Sequence, residues 1–582
     1  MKHIIKNIFN LLLITVVFTF FTGCDEDYLA EDYRDGLSPE TFYNNDTEAQ
    51  MAVNGVYVLI KGNNYFGGRW RQAAWNFGAD EMGPSRNIWK EVHNYTFAEG
   101  VYDGQRIWDS AYSVIRNANS VIQGVKDNDK LSDAIKKQTH GEALVLRAIA
   151  YYDLTVQFGD VPYFRELLSS EELSKLPRIS LTKIRTEMKD DLQEAFNLLP
   201  DSYSGADLGR MTKWAAIALK SKFHLMDSEW ADVLSTSENI INNSPHKLMD
   251  KFEDVYGWDK TTPGNQVKTE HILWIDYAGA LGSGLVPRHN LQLTNEVNPR
   301  LRDEPKDKKQ RNALKKVLAA NNHAFTGFGA QVPLPDLANK TNWESGDLRY
   351  DTTILNEYGG FKLKFSYFKK LQNLDQIHSM RNGHAENVVM IRLADIYLMA
   401  AEAANELSGP SSAYKFVNKV RERAFEPDKP WSGMTKESFR TALQEERKFE
   451  LCAEGHRRVD LIRWGILLET VEKTKYFKYS TTKTNIKPKH VRYPIPLNEI
   501  LRNPKHPYTR GLLNALPDIN NLDAPLQPIP GNIPSPLDRP TGCVFRTRCP
   551  DPSHDCREGN IEMGLIEVSP GHWVDKCCVN CG

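Results

Sequence analysis

Glu446, Glu450 and Glu454 recur every four residues in EERKFELCAEGHRRVDLIRWG, residues 445–465, which puts them on one face if the stretch is helical. Two carboxylates about 5–10 Å apart in a cleft are the acid and base of a glycosidase. Like charges at this spacing repel unless cations intervene, and Arg447, Arg457, Arg458 and Arg463 lie close in sequence to do so. Arginine beside a carboxylate depresses its pKa, the opposite of what a general acid requires. The stretch therefore reads as an ion-paired scaffold element and not as a catalytic pair. Gly455 frees the chain to turn before Val459, Leu461, Ile462 and Trp464 re-enter the core.

A second constellation suits recognition. Pyranose C–H faces pack on aromatic rings while their hydroxyls bond to Asn, Asp and Arg. Of the 12 Trp, Trp108, Trp214, Trp230 and Trp464 fall in helical stretches and read as core. Trp70, Trp75 and Trp89 lie in an irregular segment, 62–99, interleaved with Tyr65, Phe66, Arg69, Asn76, Asp80 and Asn87. Trp343 sits in the polar stretch NKTNWESGDLR. We expect sugar contacts among Trp89, Trp343, Trp70, Trp75, Tyr65 and Asn87, led by Trp89 and Trp343. No HExxH, GxSxG, complete GxGxxG after a strand, or GxxxxGK[ST] phosphate loop occurs, so the metalloprotease, hydrolase-elbow, dinucleotide and ATPase chemistries lack their residues.

The elements that must position these residues read as helices. EALVLRAIAYYDLTVQF, 142–158, places Leu144, Ala148, Tyr151, Tyr152 and Thr155 on one side, and Gly159 to Pro162 stops it. RMTKWAAIALKSKFHLM, 210–226, and VVMIRLADIYLMAAEAANEL, 388–407, behave similarly. In the last, Ala394, Ala400, Ala401, Ala403 and Ala404 allow close helix–helix approach, as in tetratricopeptide-like antiparallel pairs, although no clean 34-residue repeat is visible. Segments 62–99 and about 250–385 read as loops with short strands such as His271 to Ile275; long loops on a rigid scaffold carry binding function. The expected class is mainly α, with helix pairs, an irregular loop-rich subdomain and a small Cys-rich tail. A balance of 41% hydrophobic and 25% charged residues is ordinary for a globular protein, and a formal charge of −2 offers no electrostatic case for nucleic acid.

The N-terminus supplies an address. Lys2 and Lys6 precede an apolar run, Leu11 to Phe21, too short to span a membrane, and Phe21-Thr22-Gly23 leads into Cys24. This resembles the lipobox of bacterial lipoproteins, which implies cleavage of residues 1–23 and lipidation of Cys24. Asp25, Glu26 and Asp27 resemble the export signal that carries Bacteroidota lipoproteins to the outer face of the outer membrane.

Several stretches together resemble the SusD/RagB family of outer-membrane nutrient-binding lipoproteins. They are GCDEDYL at 23–29, IWDSAYSVIRNAN at 107–119, LRAIAYYDLTVQFGDVPY at 146–163 and GRMTKWAAIALKSKFHL at 209–225. VVMIRLADIYLMAAEA at 388–403, the 445–465 stretch and YPIPLNEILRNP at 493–504 complete an ordered series. The resemblance implies a domain over 24–504 that captures oligosaccharide or polysaccharide at the cell surface and passes it to a SusC-like TonB-dependent transporter, without catalysis. The alternatives are a glycoside hydrolase of the same locus or, from the tail alone, a peptide-importer component.

The tail differs in kind. HPYTRGLLNALPDI at 506–519, PIPGNIPSPLDRPTGCVFRTRCP at 528–550 and SPGHWVDKCC at 569–578 resemble the C-terminal extension of oligopeptide/dipeptide ABC-transporter ATP-binding subunits. Six of the eight cysteines fall after residue 542. The resemblance implies that Cys543, Cys549, Cys556 and Cys577 (or Cys578) match an iron–sulfur site of some members; four thiolates also suit zinc. Export in an unfolded state argues against a loaded [4Fe–4S] cluster or metal and for disulfides, with fifteen possible pairings. No cofactor is expected for the main domain, and 505–582 reads as a fusion or a joint in sequence assembly.

Overall fold

Helices form here where apolar residues recur at helical spacing behind a side chain able to cap the first turn. The computed structural model describes residues 42–85, 90–97, 102–169, 172–173, 175–256, 269–277, 296–301, 305, 307–321, 327–372, 386–496, 548–549, 565–569 and 572–575. Its first half contains α1 (Asp46–Ile60), α2 (Arg69–Asn76), β1 (Met82–Pro84), α3 (Lys90–Asn94), α4 (Tyr102–Val125), α5 (Asp133–Gln157), β2 (Val161–Pro162), β3 (Arg178–Ile179), α6 (Leu181–Leu198), α7 (Lys213–Met226) and α8 (Trp230–Asn243). Asn45, Ser132, Ser180 and Thr212 each accept a backbone N–H of the first turn of α1, α5, α6 and α7. α5 ends as its sequence predicts, with Gly159 at φ +84 turning the chain into β2.

Each long helix packs on the next: α4 on α5, α5 on α6, α6 on α7, α7 on α8. This stepwise pairing is the tetratricopeptide-like arrangement expected from the sequence. The alanine stripe of α12 (Leu393–Ser408) is fully buried, and α8, α13 (Pro410–Ala424) and α14 (Lys436–Leu451) pack around that helix. α15 (Arg457–Arg463), α16 (Leu467–Lys473) and α17 (Thr482–Asn485) follow.

Between the two helical blocks lie β4 (His271–Ile275), α9 (Lys308–Ala320), β5 (Gln331–Pro333), α10 (Pro335–Ala338), α11 (Arg349–Thr353), β6 (Ile354–Tyr358), β7 (Phe361–Phe368) and β8 (Val388–Arg392). The irregular subdomain is thus present, but it also holds the 13-residue helix α9, and the 62–99 segment carries α2 and α3 beside its short strand. A second departure concerns 388–407. Its first five residues are strand β8, paired antiparallel with β4, before the helix starts at Leu393. Val388, Val389 and Ile391 are β-branched and have an open strand edge to join, which overrides the helical spacing.

Pairing is local. β1 joins β5, β2 joins β3 and β6 joins β7, all antiparallel and two-stranded. Leu314 and Leu318 of α9 share a small core with Val332, Leu363 and Tyr367, separate from the main helical core. In the tail, β9 (Leu565–Ser569) pairs with β10 (His572–Asp575). Among the described residues no helix is long and apolar enough to cross a membrane.

Candidate functional site

The 445–465 motif is buried and ion-paired, but not by the cations its sequence suggested. Glu446 Oε1 lies 2.6 Å from Arg349 and its Oε2 2.6 Å from Arg421. Glu450 meets Arg392 at 2.7 Å, Arg423 at 2.6 Å and Arg349 at 3.0 Å, and Glu454 meets Arg392 and Lys370, each at 2.8 Å. The local arginines serve other partners: Arg447 binds Asp395 and Asp460, Arg457 binds Asp80 and Glu445, and Arg463 binds Glu402 and Asp460. Arg458 donates to the His490 carbonyl at 3.0 Å. Nor do the three glutamates share one helix. α14 stops at Leu451, and Glu454 lies in the turn where Ala453 (φ +63) and Gly455 (φ +85) reverse the chain.

Burial alone would raise the Glu450 carboxyl; Arg423, Arg392 and Arg349 outweigh it and hold it at about 2. Burial works the same way on Glu454, and Arg392 and Lys370 keep it below the usual carboxylate range. Neither Glu450 nor Glu454 therefore holds a proton to give at neutral pH. One neighbouring pair does split. Burial, reinforced by Asp80, pushes Glu81 up to about 8, while burial of Asp80 is outweighed by Arg457 and Lys448, which hold that group low. Asp80 and Glu81 are 5% and 0% exposed, respectively, and neither lines the cavity described below.

Of the predicted sugar contacts, Tyr65 and Trp75 are core residues. Tyr65 packs edge-on against Phe66; Trp75 stacks on Tyr152 at 5.9 Å, with Arg71 4.7 Å over its ring and bound to Asp153 at 2.7 Å. Trp343 is also in the core rather than on a polar loop surface. It is 6% exposed, its ring meets Phe449 at 4.4 Å and Tyr350 at 5.5 Å, and its Nε1 donates to the Leu337 carbonyl at 2.8 Å. The polar spacing around it concealed this, because Phe449, the ring nearest to it, comes from an element distant in sequence. Trp70 belongs to α2. Asn87, Trp89 and Cys24 lie outside the described residues, as do Cys543, Cys556 and Cys577; Cys549 is half-buried.

The segment after α2 is clamped to the 453–457 turn. Asn76 Oδ1 accepts from Gly455 N at 3.0 Å, Glu81 Oε1 from Ala453 N at 3.3 Å, and Asp80 takes both Nε and Nη2 of Arg457 at 2.8 Å. Beside this clamp is a partly open cavity of about 100 Å3, lined by Trp75, Tyr152, Lys222, Lys370, Glu454 and His456 among others. It admits a few water molecules, whereas pockets for drug-sized ligands run to about 300–1,000 Å3. Among the described residues one group, His224, Glu229 and Asp232, has metal-ligand spacing, but Lys189 Nζ lies 2.7 Å from Glu229 and supplies its countercharge.

An open aromatic ledge occurs where sequence reasoning did not look. Tyr479, 39% exposed, stacks on Phe477 at 5.5 Å, and Phe477 meets Phe365 of β7 edge-on at 6.1 Å. Tyr479 Oη donates to the Pro84 carbonyl at 2.6 Å, which fixes the ring. The available signal was the alternation of aromatic and lysine residues in FKLKFSYF and KYFKY.

The family model described as the SusD family matches residues 243–506, and one described as starch-binding associating with outer membrane matches 41–225. SusD-like protein P25 of Formosa agariphila is 38% identical over 518 residues, covering 84% of this chain and 97% of its own. The chain belongs to the SusD family. The SusD fold is matched at TM-score 0.66 by a SusD homolog of Bacteroides thetaiotaomicron, 20% identical, over 81% of this chain and 98% of that one. Surface glycan-binding protein A of the same organism, in complex with laminarihexaose, matches at 0.62 with 18% identity over 78% and 97%. Beyond the SusD domain, a model described as the oligopeptide/dipeptide transporter C-terminal region matches 495–556. A peptide import ATP-binding protein of Brucella ovis is 43% identical over 82 residues, 14% of this chain and 25% of its own.

Proposed function

We propose that this SusD-family chain is a non-catalytic glycan-binding protein of the cell surface. In this reading it is lipid-anchored to the outer membrane through Cys24 and hands oligosaccharide to a SusC-like TonB-dependent transporter. Family membership over almost the whole length of a SusD-like relative is the observation that carries the reading. The surface glycan-binding relative in complex with laminarihexaose supports the ligand class. The carboxylates of the 445–465 motif support binding without hydrolysis, since Glu450 and Glu454 are tied to arginine and lysine and held ionised. Among the described residues, exposed Tyr479 stacked on half-buried Phe477 is an aromatic surface suited to a pyranose face.

Affinity electrophoresis of the mature chain against a panel of polysaccharides tests this. Retardation by at least one glycan, with no reducing ends released from it, is expected. Mobility unchanged across the panel, or release of reducing ends, overturns the reading. Labelled palmitate should enter the wild type and not C24A, and a TonB-dependent transporter should co-purify from the outer membrane.

A further inference from the structure

Arg71, Gln72 and Trp75 of α2 line the partly open cavity beside the 453–457 turn. Tyr152 of α5, Asn387 just before β8 and His456 just before α15 line it from other elements. All but Asn387 are at least nine-tenths buried. Their polar atoms are not all used. Trp75 Nε1 and Asn387 Nδ2 are buried and have no hydrogen-bond partner. Arg71 gives Nε and Nη2 to Asp153, at 2.7 and 2.9 Å, which leaves its Nη1 unpaired. Among the described residues neither the Gln72 side-chain amide nor Tyr152 Oη has a hydrogen-bond partner. His456 Nδ1 lies 3.3 Å from Lys222 Nζ, which can only donate, so the ring proton sits on Nε2. Burial, with Lys222 beside it, holds that ring neutral, its pKa down at about 4. A buried donor without an acceptor is costly, and a group of them around one cavity marks a ligand site.

The balance of donors and acceptors selects the ligand. Trp75 Nε1, Asn387 Nδ2, Arg71 Nη1 and His456 Nε2 only donate, while Gln72 and Tyr152 can do either. A polyol brings a proton with every oxygen and finds few acceptors here; Glu454, the carboxylate in the lining, is already bonded to Arg392, Lys370 and Tyr256. A carboxylate ligand brings two oxygens, about four lone-pair sites and no proton. Charge agrees. Among the described residues the lining carries Arg71, Lys222 and Lys370 against Glu454 alone, and the Asp153 and Asp395 that answer Arg71 and Lys222 lie outside it. Leu219, Val388 and Ile391 add apolar surface, and a volume of about 100 Å3 takes only a few non-hydrogen atoms.

We propose that this cavity binds a short organic carboxylate, of acetate to lactate size, with its oxygens among the Arg71, Trp75, Asn387 and His456 donors and its carbon end on the apolar lining. The inference does not depend on the glycan-binding reading above.

The test titrates the mature chain at neutral pH and constant ionic strength with isotope-labelled acetate, lactate and glycerol, followed by the linewidth of the ligand's NMR signal. Three variants accompany the wild type. N387D keeps the oxygen that accepts from Tyr277 N at 2.9 Å and puts a charged acceptor where the free donor was. Q72E does the same on α2, and W75F keeps a ring but loses the N–H. Saturable binding of acetate or lactate and not of glycerol is expected, weakened roughly tenfold or more by N387D and by Q72E at an unchanged thermal melt, and less by W75F. The two acidic variants stand on different elements, so Q72E carries the test if N387D does not fold. Glycerol binding as tightly as acetate overturns the inference. So does the absence of saturable acetate or lactate binding at millimolar concentrations, which would leave the cavity to water. Acetate affinity unchanged in the folded variants also overturns it, because the acid would then be bound elsewhere.

Discussion

Glu450 is the residue on which the interior charge balance turns. Three guanidiniums converge on it, so removing its charge strands buried cations. Glu450→Gln should destabilise the fold by about 3–5 kcal/mol, read from chemical denaturation. Its folded pKa, about 2, lies below that of an unfolded glutamate, so its contribution is fully present above about pH 4.5 and is lost as pH falls through about 2. Melting curves from pH 6 to pH 2 should fall more steeply for wild type than for the variant. Glu81 has the opposite sign. Its folded pKa of about 8 exceeds the unfolded value, so the folded state binds the extra proton and stability declines as pH rises from about 4.5 to about 8. Glu81→Gln should therefore raise the melting temperature more at pH 8 than at pH 5; an equal change at both would show that Glu81 does not titrate in this window. Trp343→Ala, at a packed position with its indole N–H bonded, should cost about 3–5 kcal/mol of stability, whereas an exposed sugar platform would lose affinity with an unchanged melt.

At the scale of elements, the turn after α14 joins the ion network to the aromatic segment. Gly455 has φ +85, and a Cβ there would meet Trp75 at an ordinary 3.6 Å, so the cost of a side chain is conformational rather than steric. Gly455→Ala should destabilise by about 1–2 kcal/mol. Trp75 fluorescence offers a local reporter of whether the turn moves. Strand β8 illustrates a limit of pattern reading: VVMIR continues the helical spacing of α12, and its extended state depends on β4, more than 100 residues away in sequence. The alanine stripe of α12 was legible because close helix packing needs small residues at helical intervals whatever the partner is.

For the whole molecule, two family matches meet near residue 500, the SusD model reaching 506 and the transporter model beginning at 495. The SusD-like relative is matched over 97% of its own length by 84% of this chain. A chain ending at residue 506 should fold with an unchanged melting temperature and unchanged glycan retention. A large loss of stability on truncation would mean that the tail packs on the SusD domain.

The ordered motifs by themselves determined the family, the helical class, the irregular insertion and the tail's resemblance to a second family, because these follow from local spacing and from the order of strings along the chain. They also determined that the glutamates of 445–465 are ion-paired, since like charges at that spacing require cations. Tertiary structure alone decided which cations those are: Arg349, Arg392, Arg421, Arg423 and Lys370, brought in from other elements, while the nearby arginines went elsewhere. It also decided which of these aromatics are open, burying Trp75 and Trp343 and leaving Tyr479 exposed. Burial and ion pairing are properties of neighbours in space, and neither is written in the spacing of one segment.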